Sequence, residues 1–151
     1  MVSEKIYDPD EKRKEEERKK EEEKKEKEKK EKEKEEALKE ALRKEEEQKM
    51  QEQKDRLEQI NKMRGKIEEL RNKINSTKVS DDLKQDNDLK QEPLKKLDEA
   101  EGYLKSAEEQ IKSNNIEDGI GNIDNAQRSI DAASHWLSRN QNKEQSLGMG
   151  I

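Results

Sequence analysis

The chain has 151 residues, of which half are charged and only a quarter are hydrophobic. A globular domain is ordinarily about 45–50% apolar, so this chain cannot fold as one domain over its whole length, and part of it must be extended or disordered. The 35 basic and 40 acidic residues nearly cancel, which argues against a general affinity for nucleic acid, and the lack of cysteine excludes disulfides and thiolate chemistry.

The first predicted element is a charged helical arm, residues 11–56, which follows a flexible N-terminus, residues 1–10. Glu11 to Glu36 are 26 consecutive charged residues, 13 acidic and 13 basic. A disordered polyampholyte and an isolated helix are both compatible with this composition. Between Glu15 and Lys49, a Glu precedes a Lys or Arg by four positions nine times, and each such pair stabilises an isolated helix by about 0.2–0.5 kcal/mol. The spacing favours the helix, with a start at Asp8-Pro9-Asp10.

In composition, residues 11–50 resemble the single α-helix class, the Glu/Lys/Arg-rich lone helices that serve as spacers in motors and other proteins. The resemblance concerns shape alone, and it implies a rod. At 1.5 Å per residue, the charged run from Glu11 to Glu36 would extend over roughly 39 Å.

Apolar residues return at Ala37, Leu38 and Leu42, and beyond Leu57 they become periodic. A seam with spacing 3, 4, 3, 4 predicts a helix over 57–75; its members are Ile60, Met63, Ile67, Leu70 and Ile74. The seam extends over only about two heptads, fewer than a sustained coiled coil needs. It can face helices of its own chain or the same seam of a neighbouring copy, and the periodicity is identical in both cases.

The polar stretch 76–92 is predicted to be a connection, with Pro93 in the first turn of a second helix, 93–113. Apolar residues repeat the 3, 4, 3, 4 spacing there; they include Leu97, Leu104 and Ile111. Ser113-Asn114-Asn115 is interpreted as a turn and a cap. A third helix, 116–138, follows with a further seam that includes Ile120, Ile123, Ile130, Trp136 and Leu137.

Together these elements predict an all-α chain in which a long charged single α-helix leads into a small antiparallel three-helix bundle, residues 57–138. Residues 139–151 are expected to form a flexible tail. The candidate core or partner-binding seam comprises Ile60, Met63, Ile67, Leu70, Ile74, Leu97, Leu104, Ile111, Ile120, Ile123, Ile130, Trp136 and Leu137.

The search for catalytic chemistry gives no candidate. His135 is the single histidine, and it is expected to be a partly exposed helix residue beside Trp136. Asp86-Asn87-Asp88 faintly resembles a calcium loop, but Lys90 occupies a ligand position and Gln91 replaces the required glycine. We therefore expect no catalytic residue, no metal ligand, no cofactor and no small-molecule substrate.

Gly119 and Gly121 have two structural interpretations. Either they allow the second and third helices to approach closely, or the third helix is weak there and Gly119-Ile120-Gly121 belongs to the turn. Because each glycine inside a helix costs about 0.8–1.0 kcal/mol relative to alanine, the second interpretation is favoured.

The leading hypothesis is a non-enzymatic structural protein, a helical spacer whose C-terminal bundle docks or oligomerises within a larger assembly. The alternative is a helical-hairpin adaptor or chaperone, residues 93–138, for another helical protein. A coiled-coil nucleic-acid-associated protein is a third option, disfavoured because the charged run is neutral. Protein partners or self-association are expected. The charged run has no apolar face for a membrane surface.

No segment has the apolar length of a membrane span, and the start lacks the pattern of a secretion signal. The expected location is the cytoplasm or an intracellularly assembled particle. The apolar residues near the two ends, Val2 with Ile6 and Tyr7 and then Leu147 to Ile151, are hypothesised to be short partner-binding peptides.

Overall fold

The computed structural model describes the backbone of residues 8–149 and the side chains of residues 8–141. This part of the chain is helical, and its elements are α1 (Pro9–Ser76), α2 (Leu83–Lys112) and α3 (Ile116–Met149). The predicted all-α class is therefore confirmed. The chain divides into two compact units, an N-terminal unit that ends at Gln48 and a C-terminal unit that begins at Lys49. Helix α1 contributes residues to both.

Helix α1 begins at Pro9, within the predicted start Asp8-Pro9-Asp10, so Pro9 and Asp10 are helical although the flexible N-terminus was predicted to extend to residue 10. The carboxylate of Asp8 accepts a hydrogen bond from the backbone N–H of Asp10 at 3.0 Å, which satisfies one of the free donors of the first turn. Proline suits this position because its missing N–H would have no helical partner there. Asp10 and Glu11 place negative charge at the positive end of the helix dipole.

In the N-terminal unit, every described side chain is exposed, the charged residues and the apolar ones alike. Leu38 and Leu42 are 62% and 51% exposed. Ion pairs in this unit include Arg13 with Asp10 at 3.2 Å and Arg43 with Glu40 at 3.3 Å, both three positions apart. The helical state of this segment therefore rests on local interactions and on the propensity of Glu, Lys and Arg.

Helix α2 begins at Leu83, ten positions before the predicted start at Pro93. The carboxylate of Asp82 caps it by accepting a hydrogen bond from the backbone N–H of Lys84 at 3.0 Å. Pro93 is fully buried inside the helix, although proline cannot donate the helical hydrogen bond to residue 89. The prediction was wrong because tertiary burial of this segment outweighs the local cost of the proline. The connection accordingly shortens from 76–92 to 77–82.

The turn between α2 and α3 has the predicted position and a well-defined cause. Asn114 has a positive φ of 65°, and the N–H of Asn115 donates to the carbonyl oxygen of Gln110 at 2.8 Å. The N–H of Asn114 donates to the carbonyl oxygen of Ile111 at 3.1 Å. This pair of bonds is the Schellman motif, with asparagine in the left-handed position that usually holds glycine. It ends α2 and lets α3 begin at Ile116.

Helix α3 continues to Met149 and so passes the predicted end at Ser138. The polar residues after Arg139 are mostly good helix formers and include no proline; the loss of apolar periodicity was the wrong criterion for the helix end. Residues 1–7, 150 and 151 lie outside the described residues. The hypothesis about apolar termini falls on these residues and on side chains beyond Gln141, which are likewise not described.

Candidate functional site

The C-terminal unit contains the described apolar core, to which all three helices contribute. From α1 the core receives the predicted seam from Ile60 to Ile74, whose members are between 0% and 7% exposed. The predicted seam residues of α2 and α3 join the same core; they are Leu97, Leu104, Ile111, Ile123, Ile130, Trp136 and Leu137. Ile120 is only half-buried. Within this single chain, the α1 seam packs in the core that the chain's own helices form.

Small residues let the helices of this core approach. Ala100, Ala107, Ala126 and Ala133 alternate with the large residues along α2 and α3, and each is fully buried. Leu57 and Leu94 are partly buried and pack against the margin of the core. Val79, in the connection between α1 and α2, is also buried, so the connection itself contributes to the core.

Polar contacts align α1 and α2 in opposite chain directions. The amide of Gln53 donates to the carbonyl oxygen of Ile111 at 2.9 Å, near the end of α2. Arg64 pairs with Glu108, whereas Arg71, later in α1, pairs with Glu101 at 2.9 Å, earlier in α2. As the residue numbers rise along α1, the residue numbers of their partners in α2 fall, so the two helices pack in antiparallel orientation.

Arg71 is the most connected of these charged residues. Its guanidinium also lies 2.8 Å from Glu68 and 2.9 Å from Asp98. The hydrogen bond from Arg71 to Glu101 is the main reason that the pKa of this arginine is raised above its ordinary value. The planar guanidinium can serve several carboxylates at once, and here it joins one carboxylate of α1 to two of α2.

Glu108 is the acidic residue that pairs with more than one basic side chain, Arg64 of α1 and Lys112 of α2. Lys112 donates to it at 2.7 Å, and Arg64 donates to it from α1. These two hydrogen bonds, the one from Lys112 first, hold the pKa of the Glu108 carboxyl below its ordinary value. A shallow groove beside it is lined by charged side chains of α1 and α2 of both signs, and most of these acidic and basic groups already neutralise one another.

A cluster that the sequence did not predict lies at the connection between α1 and α2. The Lys90 ammonium is 2.8 Å from Oδ2 of Asp86, and the two side chains are only 10% and 9% exposed. Oδ1 of Asp86 accepts hydrogen bonds from the backbone N–H groups of Val79 at 2.7 Å and Ser80 at 3.2 Å. Lys90 donates a further bond to the carbonyl oxygen of Asn75 at 3.2 Å.

These contacts have electrostatic consequences. The hydrogen bond from Lys90, followed by the one from Val79, holds the pKa of the Asp86 carboxyl below its ordinary value. A signal for the cluster exists in the sequence, since positions 86, 90, 93 and 97 continue the 4, 3, 4 spacing of the α2 seam toward the N-terminus. It was missed because an aspartate and a lysine at seam positions suggest a polar connection, and the mutual neutralisation that permits their burial is not visible in the pattern.

The glycines of α3 differ from each other. Gly119 is buried in the helix and lies against α2, where a Cβ would contact Ile111, whereas a Cβ on Gly121 would meet nothing within 4 Å. Both glycines are helical, so the favoured interpretation, a turn at Gly119-Ile120-Gly121, was wrong. The amide of Asn122 donates to the side-chain oxygen of Gln110 at 2.6 Å, which adds a polar link at this close approach.

Trp136 and His135 are neighbours in α3 with different surroundings. Trp136 is buried in the core, and His135 beside it is exposed. Asn140 is buried, and its amide donates to the carbonyl oxygen of Trp136 at 2.7 Å. Among the residues that the structure describes, no group of three or more His, Cys, Asp or Glu side chains is arranged to hold a metal ion. No helix in the described range has the length and apolar character needed to cross a membrane.

Comparison with protein-family models, with curated proteins and with solved structures finds no match to this chain.

Proposed function

We propose that the protein is a non-enzymatic structural component, in which residues 11–56 form a charged helical spacer ahead of a three-helix docking or oligomerising bundle in a larger assembly. One observation carries the proposal: every side chain from Pro9 to Glu52 is exposed on a continuous helix. A globular helix normally buries one face. A helix that buries none can hold a distance without needing a packing partner along its length.

The charge arrangement supports the same use. The run from Glu11 to Glu36 has equal numbers of acidic and basic residues, so it has neither the excess positive charge that binds nucleic acid nor an apolar stripe for a membrane surface. The segment of α1 within the N-terminal unit, residues 9–48, would be about 60 Å long at 1.5 Å per residue. That is a useful distance between two bound components.

The packing of the C-terminal unit favours the spacer over the adaptor. A helical hairpin that received another helical protein would need a free apolar groove. In α2 and α3 the large apolar residues of the seam are already buried against one another and against α1. Exposed apolar side chains of the unit, such as Leu83 and Tyr103, are single residues, which are ordinary on a protein surface. Docking would therefore use the outer surface of the bundle.

A distance measurement tests the spacer in the full chain. The protein has no cysteine, so Lys14→Cys with Glu46→Cys places two spin labels 32 positions apart and at no other site. A helix would separate the labelled positions by about 48 Å, whereas a disordered chain would give a broad distribution centred at a shorter distance. A narrow distribution near the helical value supports the spacer.

A matched variant provides the control. Lys29→Gly with Lys30→Gly, added to the labelled chain, removes two good helix formers without touching the C-terminal unit and lowers the local helix stability by about 2 kcal/mol. It should broaden the distance distribution and leave the thermal unfolding of the C-terminal unit unchanged. If the labelled chain without these glycines gave a broad distribution at short distances, the helical spacer would be excluded and the disordered polyampholyte favoured.

A further inference from the structure

Helices α2 and α3 could in principle pack with α1 of their own chain or with α1 of a second copy. The α1 seam from Ile60 to Ile74 is buried against α2 and α3 of its own chain, yet an identical seam from a second copy would satisfy α2 and α3 equally well. What selects the intramolecular arrangement is the path of the connection, residues 77–82. If the connection opened, α1 could leave its own chain and pack on the α2 and α3 of another copy, which is domain exchange.

The Asp86 cluster joins α2 to the connection, the segment that must open for exchange. Asp86 and Lys90 belong to α2, whereas their other partners are the last turn of α1 (Asn75) and the connection (Val79 and Ser80). The two bonds to Val79 and Ser80 require the connection to fold back beside α2, whereas the bond to Asn75 requires only that the end of an α1 helix lie there. The Thr77 hydroxyl donates to the carbonyl oxygen of Lys73 at 2.7 Å, so the chain leaving α1 is held on both sides of Asn75.

We propose that Asp86 and Lys90 act as a latch that holds the connection closed and thereby keeps α1 packed within its own chain. Removing the latch permits an exchanged dimer, in which α1 of each copy packs on α2 and α3 of the other. The partner inferred for the opened form is a second copy of this chain. The inference does not depend on the spacer, because it concerns only the C-terminal unit.

The physical reason lies in what buried charge contributes. The pair of Asp86 with Lys90 lies within α2 and is therefore present in both the closed and the exchanged form. A buried carboxylate that loses hydrogen-bond donors nevertheless keeps its desolvation cost without compensation, and opening the connection takes the N–H groups of Val79 and Ser80 away from Asp86. Apolar contacts between the helices are the same in the closed and exchanged forms, whereas Val79 is buried only when the connection follows the closed path. The hydrogen bonds that Asp86 accepts from Val79 and Ser80, together with the burial of Val79, therefore distinguish the two forms, and they belong to the closed path.

The test replaces both latch residues together. Asp86→Leu with Lys90→Met fills the two buried positions with apolar side chains of similar size, so no uncompensated charge remains. It removes the bonds to Val79, Ser80 and Asn75 and leaves the bond between Ser80 and Gln85 in place. Arg64→Gln with Glu108→Gln is the matched control, because it also removes an α1 to α2 ion pair but lies away from the connection. Sedimentation of the full chain over a range of concentrations gives the dimer dissociation constant of each protein.

We expect the dissociation constant of the latch variant to be at least about tenfold lower than that of the unaltered chain, which corresponds to about 1.4 kcal/mol. The control variant should remain like the unaltered chain. Exchange is identified with a donor dye on Lys66→Cys in one preparation and an acceptor on Ser106→Cys in another, mixed and refolded together. The two dyes are chosen with a Förster distance shorter than the width of the bundle, so that strong energy transfer between copies requires α1 of one chain to lie against α2 of the other.

A folded latch variant that stays as monomeric as the unaltered chain would overturn the proposal, as would dimers without transfer between copies. If the apolar variant does not fold, Asp86→Ala with Lys90→Ala is judged by the same criteria. Hydrogen exchange on the unaltered chain gives an independent measurement. The amides of Val79 and Ser80 should be protected, and rapid exchange at both would show that the latch does not form.

Discussion

Gly119 and Ile111 approach so closely that a Cβ added to the glycine would lie 2.5 Å from Cγ1 of the isoleucine. The same atom would lie 3.3 Å from the carbonyl oxygen of Ala107, so backbone as well as side chain would have to move. Ile111 is fully buried and cannot turn aside into solvent. The start of α3 is therefore packed on the end of α2 at a distance that only glycine permits.

The two glycines of α3 should consequently respond to alanine in opposite directions. Gly119→Ala should lower the free energy of unfolding by about 1–3 kcal/mol, the usual cost of overpacking. Gly121→Ala should raise it by about 0.8–1.0 kcal/mol, because a Cβ there meets nothing within 4 Å and alanine is the better helix former. Urea unfolding of the two variants measures both changes. Equal responses would contradict the close approach.

The left-handed residue at the α2 to α3 turn gives a second prediction. Asn114 has φ 65°, a conformation that costs a β-branched residue about 1–2 kcal/mol. Asn114→Val should therefore destabilise the protein by about that amount, whereas Asn114→Gly should be neutral or slightly stabilising. Asn115→Gly is not an equivalent control, since Asn115 also donates to Asp118 at 2.7 Å. Thermal unfolding of the two Asn114 variants is the measurement.

Periodicity predicted the parts of this fold that depend on apolar faces. The seam from Ile60 to Ile74 and the buried faces of α2 and α3 follow from 3, 4 spacing, because that spacing brings residues to one side of a helix. Periodicity failed where polar residues are buried or where helix propensity alone continues an element. The start of α2 at Leu83 and the extension of α3 past Ser138 are the two examples.

In the C-terminal unit, the buried apolar positions were predicted from the sequence, but the polar contacts between helices were not. Twelve of the predicted seam residues are buried, and Ile120 is half-buried. The polar contacts that orient the helices, such as Arg71 with Glu101 and Asp86 with Lys90, were not predicted. In a chain that is half charged, most Glu–Lys and Asp–Arg combinations have no special role, and only the folded arrangement identifies the pairs that join different helices.

Acidification should destabilise the C-terminal unit. The pKa values of Asp86 and Glu108 lie below their ordinary values of 3.8 and 4.5 in the folded protein. For carboxyls with a lowered pKa, the contribution to stability is complete above the ordinary pKa and is lost as the pH falls through the folded pKa. The free energy of unfolding should therefore decline below about pH 5.

A single variant isolates part of this effect. Glu108→Gln should be less stable than the unaltered chain at pH 7. It should lose less stability between pH 5 and about pH 2.5, because it lacks the carboxyl group whose pKa is lowered in the folded protein. Urea unfolding at a series of pH values gives both curves. Parallel curves for the two proteins would mean that the bonds from Lys112 and Arg64 do not stabilise the folded state.

The division of the chain between a packed unit and an unpacked helix gives the last prediction. Ile67 lies at the centre of the α1 seam and is fully buried. Ile67→Ala should cost about 2–5 kcal/mol through the lost burial and the cavity that remains. Ile67→Asp should cost more, because it buries a carboxylate with no partner. Glu28→Ala, on the exposed part of α1, should change the unfolding temperature very little.

Two readouts separate the units in this experiment. Near-ultraviolet circular dichroism of Trp136, which is buried in the core, reports the C-terminal unit, and far-ultraviolet circular dichroism reports total helix. Ile67→Asp should abolish the first signal and leave part of the second, since residues 9–48 need no core contacts for their helix. That remainder should melt gradually on heating, because it rests on local pairs without a packed face. If the tryptophan signal and its thermal transition survived Ile67→Asp, the α1 seam would not be part of the core.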